Sequence, residues 1–234
     1  MPQPVCLVVG VGPGNGAAIA RRFAADGYAV GLVARSEAFS RSLAQELGPA
    51  ARFHAADAGN PAALEAALAA LQRDLGDADV LVHNAGSGDW GNAEEATVEA
   101  FERAWRVNAL GALCASQQVL PAMRRRGQGT IVFIGATASR RGGPRSAAFS
   151  SAKGAQRNLA ESMARHLWPA GIHVALVVID GVVDLPRTRQ RMPDKPDSFF
   201  VKPVDVASAV ASIARQPRSA WSFEVEARPF GEAW

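Results

Sequence analysis

Along the chain, short unbroken apolar runs alternate with longer stretches in which apolar residues recur every three or four positions. Runs of that length rich in Val, Ile, Leu and Ala read as strands buried on both faces, and the periodic stretches between them read as amphipathic helices. The runs predict strands at "VCLVVG" (5–10), "AVGLVA" (29–34), "ARFHAA" (51–56), "VLVH" (80–83), "TIVFIGA" (130–136), "HVALVVI" (173–179) and "SFEVEAR" (222–228), with six crossover helices between them. The clearest helix begins after Asn60, a cap residue, with Pro61 at the first helical position and a stripe of Leu64, Leu68, Leu71 and Leu75 that reads as core packing. Strand and helix in regular alternation predict an α/β fold, a doubly wound parallel sheet of about seven strands with helices on both faces.

No repeat, low-complexity tract or linker divides the chain, so residues 1–234 read as a single domain, and 48% hydrophobic content suffices for one sizeable core. The segment "LPRTRQRMPDKPDSFFVKP" (185–203) is polar and proline-punctuated, and reads either as a lid over a substrate or as a poorly ordered excursion. The formal net charge of +3 is spread along the chain rather than gathered in a block, which argues against a nucleic-acid partner. Cys6 and Cys114 lie far apart in apolar segments and read as reduced thiols. His54, His83, His166 and His173 show no ligand spacing, so no metal site is expected. "VCLVVG" is too short for a signal or membrane segment and no basic stretch precedes it, so the expectation is a cytoplasmic protein without a membrane partner.

The first chemical signal is "VVGVGPGNGAAIARRFA". The first strand ends in Gly10, and Gly14, Asn15 and Gly16 follow where the chain must turn sharply into a helix. Glycine lets a diphosphate approach the backbone, and the helix N-terminus offers N–H groups and the positive end of its dipole. At the start of a βαβ series this pattern favours dinucleotide binding over a plain glycine turn.

The spacing Gly10-x3-Gly14-x-Gly16 resembles that of the short-chain dehydrogenase/reductase family, and the resemblance extends over most of the chain. "HNAG" (83–86) is similar to the family's Asn-Asn-Ala-Gly segment, so Asn84, Ala85 and Gly86 would support the sheet centre and line the adenosine side. Asp57 falls where the family's acidic residue meets adenine, Asn108 in "WRVNALG" matches the active-site asparagine, and Lys153 matches the lysine of the Tyr-x3-Lys motif. The resemblance implies a Rossmann-type fold, a nicotinamide cofactor, and assembly into a homodimer or homotetramer. At the end of the second strand, relatives that prefer NAD carry a carboxylate; here Ala34 is followed by Arg35, whose guanidinium suits a 2′-phosphate. NADP(H) is therefore expected over NAD(H), although Pro13 stands where many NADP-preferring relatives carry a second basic residue.

The departures from the family are equally specific. In the family, tyrosine transfers the proton, lysine lowers its pKa and holds the nicotinamide ribose, serine positions the carbonyl, and asparagine orders a water that extends the relay. Here the tyrosine position is Phe149 and the serine position is Ala136. The one tyrosine, Tyr28, precedes the second strand and so belongs at the opposite edge of the sheet. Thr137 and Ser139 offer nearby hydroxyls that either polarise a carbonyl or bond the local turn. Lys153 could itself donate a proton, directly or through water held with Asn108. After the sixth strand, "VIDGVVDL" keeps Gly181 but has Asp180 for the family's proline and Leu185 for its threonine. Backbone near Val183 remains a holder for the carboxamide, and Asp180 reads as a substitute acid or a turn former.

Arg140, Arg141 and Arg145, with Arg187, Arg189, Arg191 and Lys195 in the segment 185–203, would favour an anionic small-molecule substrate if they converge, and form a solvated surface if they do not. Arg124–Arg126 read as cations complementing a helix C-terminus. Trp221, Phe223, Phe230 and Trp234 make the tail too apolar to be free in solvent. Two functions fit: an atypical NADP(H)-dependent oxidoreductase, or a catalytically weak or inactive NADP(H)-binding protein, a redox sensor or the partner subunit of an active enzyme.

Overall fold

The computed structural model describes residues 3–232. Its strands β1 (Val5–Val9), β2 (Ala29–Ala34), β3 (Ala51–Ala55), β4 (Val80–His83), β5 (Gly129–Ala136) and β6 (Ile172–Ile179) alternate with helices α1 (Asn15–Ala25), α2 (Glu37–Leu47), α3 (Pro61–Leu75), α4 (Val98–Trp105), α5 (Gly111–Arg126) and α6 (Ala147–Leu167). The chain continues through the two-residue strand β7 (Val182–Val183), α7 (Pro186–Arg191), β8 (Phe200–Val201), α8 (Pro203–Ala214) and β9 (Glu224–Ala227). Seven strands form one sheet in the order β3-β2-β1-β4-β5-β6-β9, every neighbouring pair parallel.

The period-2 geometry of a strand explains how one apolar run serves two cores. Val5, Leu7 and Val9 of β1 face a cluster with Leu64, Leu68 and Leu71 of α3 and Met123 of α5. Cys6 and Val8 face the opposite cluster, with Ile19 and Phe23 of α1 and Val206 and Val210 of α8. Helix α3 begins as its sequence requires, with the Asn60 side chain accepting from the Ala63 N–H at 3.2 Å and Pro61 in the first turn. Strand addition reverses between β1 and β4, which opens a crevice at their C-terminal ends, the place where this architecture takes ligands.

Several expectations are corrected in detail. The segment 185–203 is built structure, with α7, a 3₁₀ turn at Asp197–Phe199 and a parallel β7–β8 pair. Between β4 and β5 the chain runs through α4 and α5 joined by a π-helical turn, Arg106–Leu110, that contains Asn108; such turns often mark functional positions. Gly111 lets this helix press on the β3–α3 connection, since a Cβ there would lie 2.3 Å from the Ala58 carbonyl oxygen. In the tail, Trp221 stacks on His173 with ring centroids 4.7 Å apart, and Phe223 packs on the core. Phe230 is 94% exposed, and Trp234 lies outside the described residues. Among the described residues, no helix is long and apolar enough to cross a membrane.

Candidate active site

The glycine loop closes the C-terminal end of β1. Gly10 has φ +92°, and a Cβ there would lie 2.3 Å from the Ala85 backbone nitrogen, so the β1 and β4 ends touch backbone to backbone. The Gly10 and Val11 N–H groups donate to the Val33 carbonyl at 2.9 and 3.2 Å, and the Asn84 side chain donates to the Gly10 carbonyl at 2.6 Å. A Cβ on Gly16 would lie 2.5 Å from the Gly10 carbonyl oxygen, so only glycine lets α1 start this close to the turn. Gly14 supplies no side-chain cap to α1, which leaves the first N–H groups of Asn15 and Gly16 for an anion. This cradle fits a diphosphate with one adjustment: a Cβ on Gly14 would lie 2.7 Å from Cδ2 of Leu185, so a Leu185 methyl rests on the loop.

Arg35 is exposed immediately beyond β2, two residues from the carbonyl that anchors the glycine loop. Asp57 is exposed after β3 and accepts from the Gly59 N–H at 2.9 Å, which fixes the turn and leaves its second oxygen uncommitted by that bond.

Beside Gly86 the structure brings Lys153 and Asn108 together. A Cβ on Gly86 would lie 3.7 Å from Lys153 Nζ and 3.3 Å from Asn108 Oδ1. Asn108 is fully buried; its Nδ2 donates to the Ala104 carbonyl at 2.8 Å, and its Oδ1 has no partner. Lys153 is 5% exposed, and its Nζ donates to the Ile134 carbonyl at 2.7 Å and to Gln156 Oε1 at 3.1 Å. Burial lowers the Lys153 ammonium to about 7. The Gln156 Nε2 donates to the Asn108 carbonyl at 3.1 Å and meets His83 Nδ1 at 3.3 Å. Burial, with Lys153 beside it, lowers His83 to about 3, so the imidazole is neutral. The sequence reading missed Gln156, although a glutamine three residues after Lys153, in line with the buried Ala152 and Ala160, was a visible signal.

Phe149 stands one helical turn from Lys153, its ring centroid 5.1 Å from that of Trp90 in the loop after β4. The phenol position is therefore part of an aromatic wall. Tyr28 lies at the other end of the sheet, edge-on to Phe23 before the first residue of β2.

The alternative hydroxyls are committed elsewhere. Ser139 is buried and accepts from the Ala136 N–H at 3.1 Å, a bond of the local turn. Thr137 donates to Asp180 Oδ1 across to the end of β6, which withdraws its proton from a substrate carbonyl. Asp180 is neither a free acid nor a simple turn former, because Arg228 donates to its second oxygen at 2.6 Å and Arg141 approaches at 3.7 Å. Gly181 is hemmed by Pro229 and Glu232, and the Val183 carbonyl accepts from the Thr188 hydroxyl at 2.6 Å.

Nor do the arginines converge. Arg140 pairs with Glu224 and Glu226, Arg145 with Glu95, and Arg189 with Asp184 and Asp197. Arg141, whose side chain is 67% exposed, lies 3.7 Å from Asp180 just beyond β6. Arg124, Arg125 and Arg126 end α5 as expected, bonding His166, Asp77 and the Ala78 carbonyl. Among the described residues, no three His, Cys, Asp or Glu side chains gather to hold a metal ion.

Residues 4–196 match the model of the short chain dehydrogenase family. The chain is 34% identical over 204 residues to the inactive 2-(S)-hydroxypropyl-CoM dehydrogenase 2 of Xanthobacter autotrophicus, covering 82% of this chain and 89% of that protein. It is 32% identical over 233 residues to the 4-formylbenzenesulfonate dehydrogenase of Comamonas testosteroni, covering 93% and 92%. The structure superposes on the alcohol dehydrogenase of Thermococcus sibiricus complexed with 5-hydroxy-NADP with a TM-score of 0.86, at 28% identity over 99% of this chain and 98% of the other.

Proposed function

The chain belongs to the short chain dehydrogenase family, and we propose that it is an NADP(H)-dependent oxidoreductase that moves hydride to or from a small anionic substrate without a tyrosine. One observation carries this reading: an intact glycine cradle runs up to Gly86, and there Lys153 and the unpartnered Asn108 Oδ1 face the same backbone position. The dinucleotide supplies the hydride chemistry at its nicotinamide. The chain supplies the rest: the N-terminus of α1 holds the diphosphate, Arg35 a 2′-phosphate, Asp57 the adenine, and Lys153 the ribose and a proton.

Arg35 supports NADP(H) over NAD(H), because a guanidinium attracts the extra phosphate that a carboxylate would repel. Arg141 supports an anionic substrate, in keeping with a relative named for a benzenesulfonate. A positioned general acid contributes about a hundred- to ten-thousand-fold to carbonyl reduction. With Phe149 in its place, the favoured acceptors need little protonation at that point, such as a conjugated alkene or an iminium. The exposed Val98, Phe101 and Trp105 on α4 support a homodimer or homotetramer.

A second reading, an NADP(H)-binding protein without turnover, draws support from the commitment of Thr137 and Ser139 to structural bonds and from a relative named as inactive. Titration with NADPH and NADH, followed by tryptophan fluorescence, tests what both readings share: saturable binding with NADPH preferred is expected, and absence of binding removes both. A substrate screen then separates them. In an active protein, Arg141→Ala should raise the KM for sulfonates and carboxylates while sparing neutral substrates; an unchanged KM removes the anionic assignment.

A further inference from the structure

Among the described residues, Lys153 sits in a polar network with no counter-charge. Its Nζ has two acceptors, the Ile134 carbonyl of β5 and Gln156 Oε1. The orientation of the Gln156 amide follows from its neighbours. The Asn108 carbonyl can only accept, so it must face the amide nitrogen, and this turns the amide oxygen to Lys153. The second N–H of that nitrogen meets Nδ1 of His83, which makes Nδ1 an acceptor and keeps the imidazole neutral.

The groups around Lys153 account for every packed element. On α6 there is Gln156, on β5 a carbonyl, on β4 the neutral His83, and on the π turn Asn108. On β6 the Asp180 carboxylate is held by Thr137 and Arg228, and on α4 Arg103 is paired with Asp89 at the surface. The remaining valence of Nζ faces the space beside Gly86, next to the unpartnered Asn108 Oδ1.

We propose that Gln156 is a positioning residue: its amide bridges Lys153 to Asn108 and His83, excludes a counter-ion and bulk water, and confines proton exchange of the lysine to the ligand side at Gly86. An amide does not conduct protons as a water would, so the network holds the amine in place without connecting it to solvent on that side. This deepens the proposed function and rests on its placement of the cofactor ribose at Gly86. The burial that lowers Lys153 toward neutrality fits the same arrangement.

The chain contains only three lysines, Lys153, Lys195 and Lys202, so ¹⁵N-lysine NMR of the whole protein resolves Nζ titrations. Lys153 should titrate near neutral pH, well below an ordinary lysine. Gln156→Glu, which adds a carboxylate, should raise the Lys153 midpoint by about one pH unit or more. Gln156→Met, of similar length, should lower it by removing an acceptor. The pH at which NADPH affinity falls should move in step with the midpoint in both variants. A Lys153 midpoint at the ordinary lysine value of 10.5, or one that neither variant moves, overturns the assignment. If the midpoints shift as expected but NADPH binds at no pH, the cofactor reading fails while the role of Gln156 in placing Lys153 stands.

Discussion

Replacing Lys153 by methionine tests whether the buried amine is neutral in the fold, through the pH dependence of stability. In the unfolded chain a lysine titrates at 10.5, and in the fold Lys153 is lowered to about 7 by burial. Between those values the unfolded state binds a proton that the folded state does not, so stability must rise with pH across this window, at up to about 1.4 kcal/mol per unit. Allowing for partial titration at the lower end, the wild type should gain about 2 kcal/mol between pH 7 and 9 from this group. Below the folded value both states are protonated and the contribution is flat.

Lys153→Met removes the slope, and it also leaves the Ile134 carbonyl and Gln156 Oε1 without a donor, at about 1–3 kcal/mol each. The two effects oppose each other at pH 7, so the absolute stability of the variant decides nothing and the slope decides. Urea unfolding of both proteins at pH 7, 8 and 9 gives the difference directly. Taking that difference cancels the thiol of Cys6, which burial raises well above its ordinary value and which acts in the opposite direction at alkaline pH. His83, lowered to about 3, loses stability only as pH falls below 6.5, outside the window. Parallel curves for the two proteins would refute the neutral amine and with it the electrostatic account of the site.

Leu185→Ala should tighten NADPH binding about fivefold, because a half-buried leucine displaced from the glycine loop forfeits roughly 1 kcal/mol of apolar burial; weaker binding in a fluorescence titration would show that Leu185 instead contacts the cofactor. Arg35→Glu should weaken NADPH binding by about ten- to a hundredfold and leave NADH within a few-fold, and equal losses for both would remove Arg35 from the 2′-phosphate. Phe149→Tyr should raise turnover of ketones by at least about tenfold, and Phe149→Tyr with Ala136→Ser by more than the product of the single effects, as steady-state rates would reveal; no gain in either would mean that Trp90 or the lid holds the new hydroxyl out of line.

The fold was legible because its signals are local and redundant. Strands β1, β2, β4, β5 and β6 are apolar runs buried on both faces, and the structure moves the ends of all seven strands by no more than two residues from the pattern. The glycine loop was legible for a different reason: Gly10 and Gly16 meet backbone where a Cβ would overlap it, so those positions admit no other residue. The small β7–β8 pair and the order within 185–203 were not legible. Both depend on long-range pairs, Val183 with Val201 and Arg189 with Asp197, that leave no periodic trace in a polar, proline-rich stretch.

The candidate site divides along the same line. Lys153, Asn108 and Phe149 could be placed from their spacing, whereas the groups around them come from elsewhere in the chain: Ile134 from β5, His83 from β4 and Trp90 from the loop after β4. Clustering of charge in sequence misled for that reason. Arg140 and Arg145 lie close in the chain, yet each meets a carboxylate 50 or more residues away, Glu224 and Glu95. At the two positions without a hydroxyl, Phe149 and Ala136, the structure puts the Phe149 ring against Trp90, turns Thr137 to Asp180 and bonds the amine of Lys153 to Ile134 and Gln156. Under the proposed function, a lysine so placed would give or take a proton near neutral pH in place of the phenol, and a charged lysine paired with a carboxylate would not.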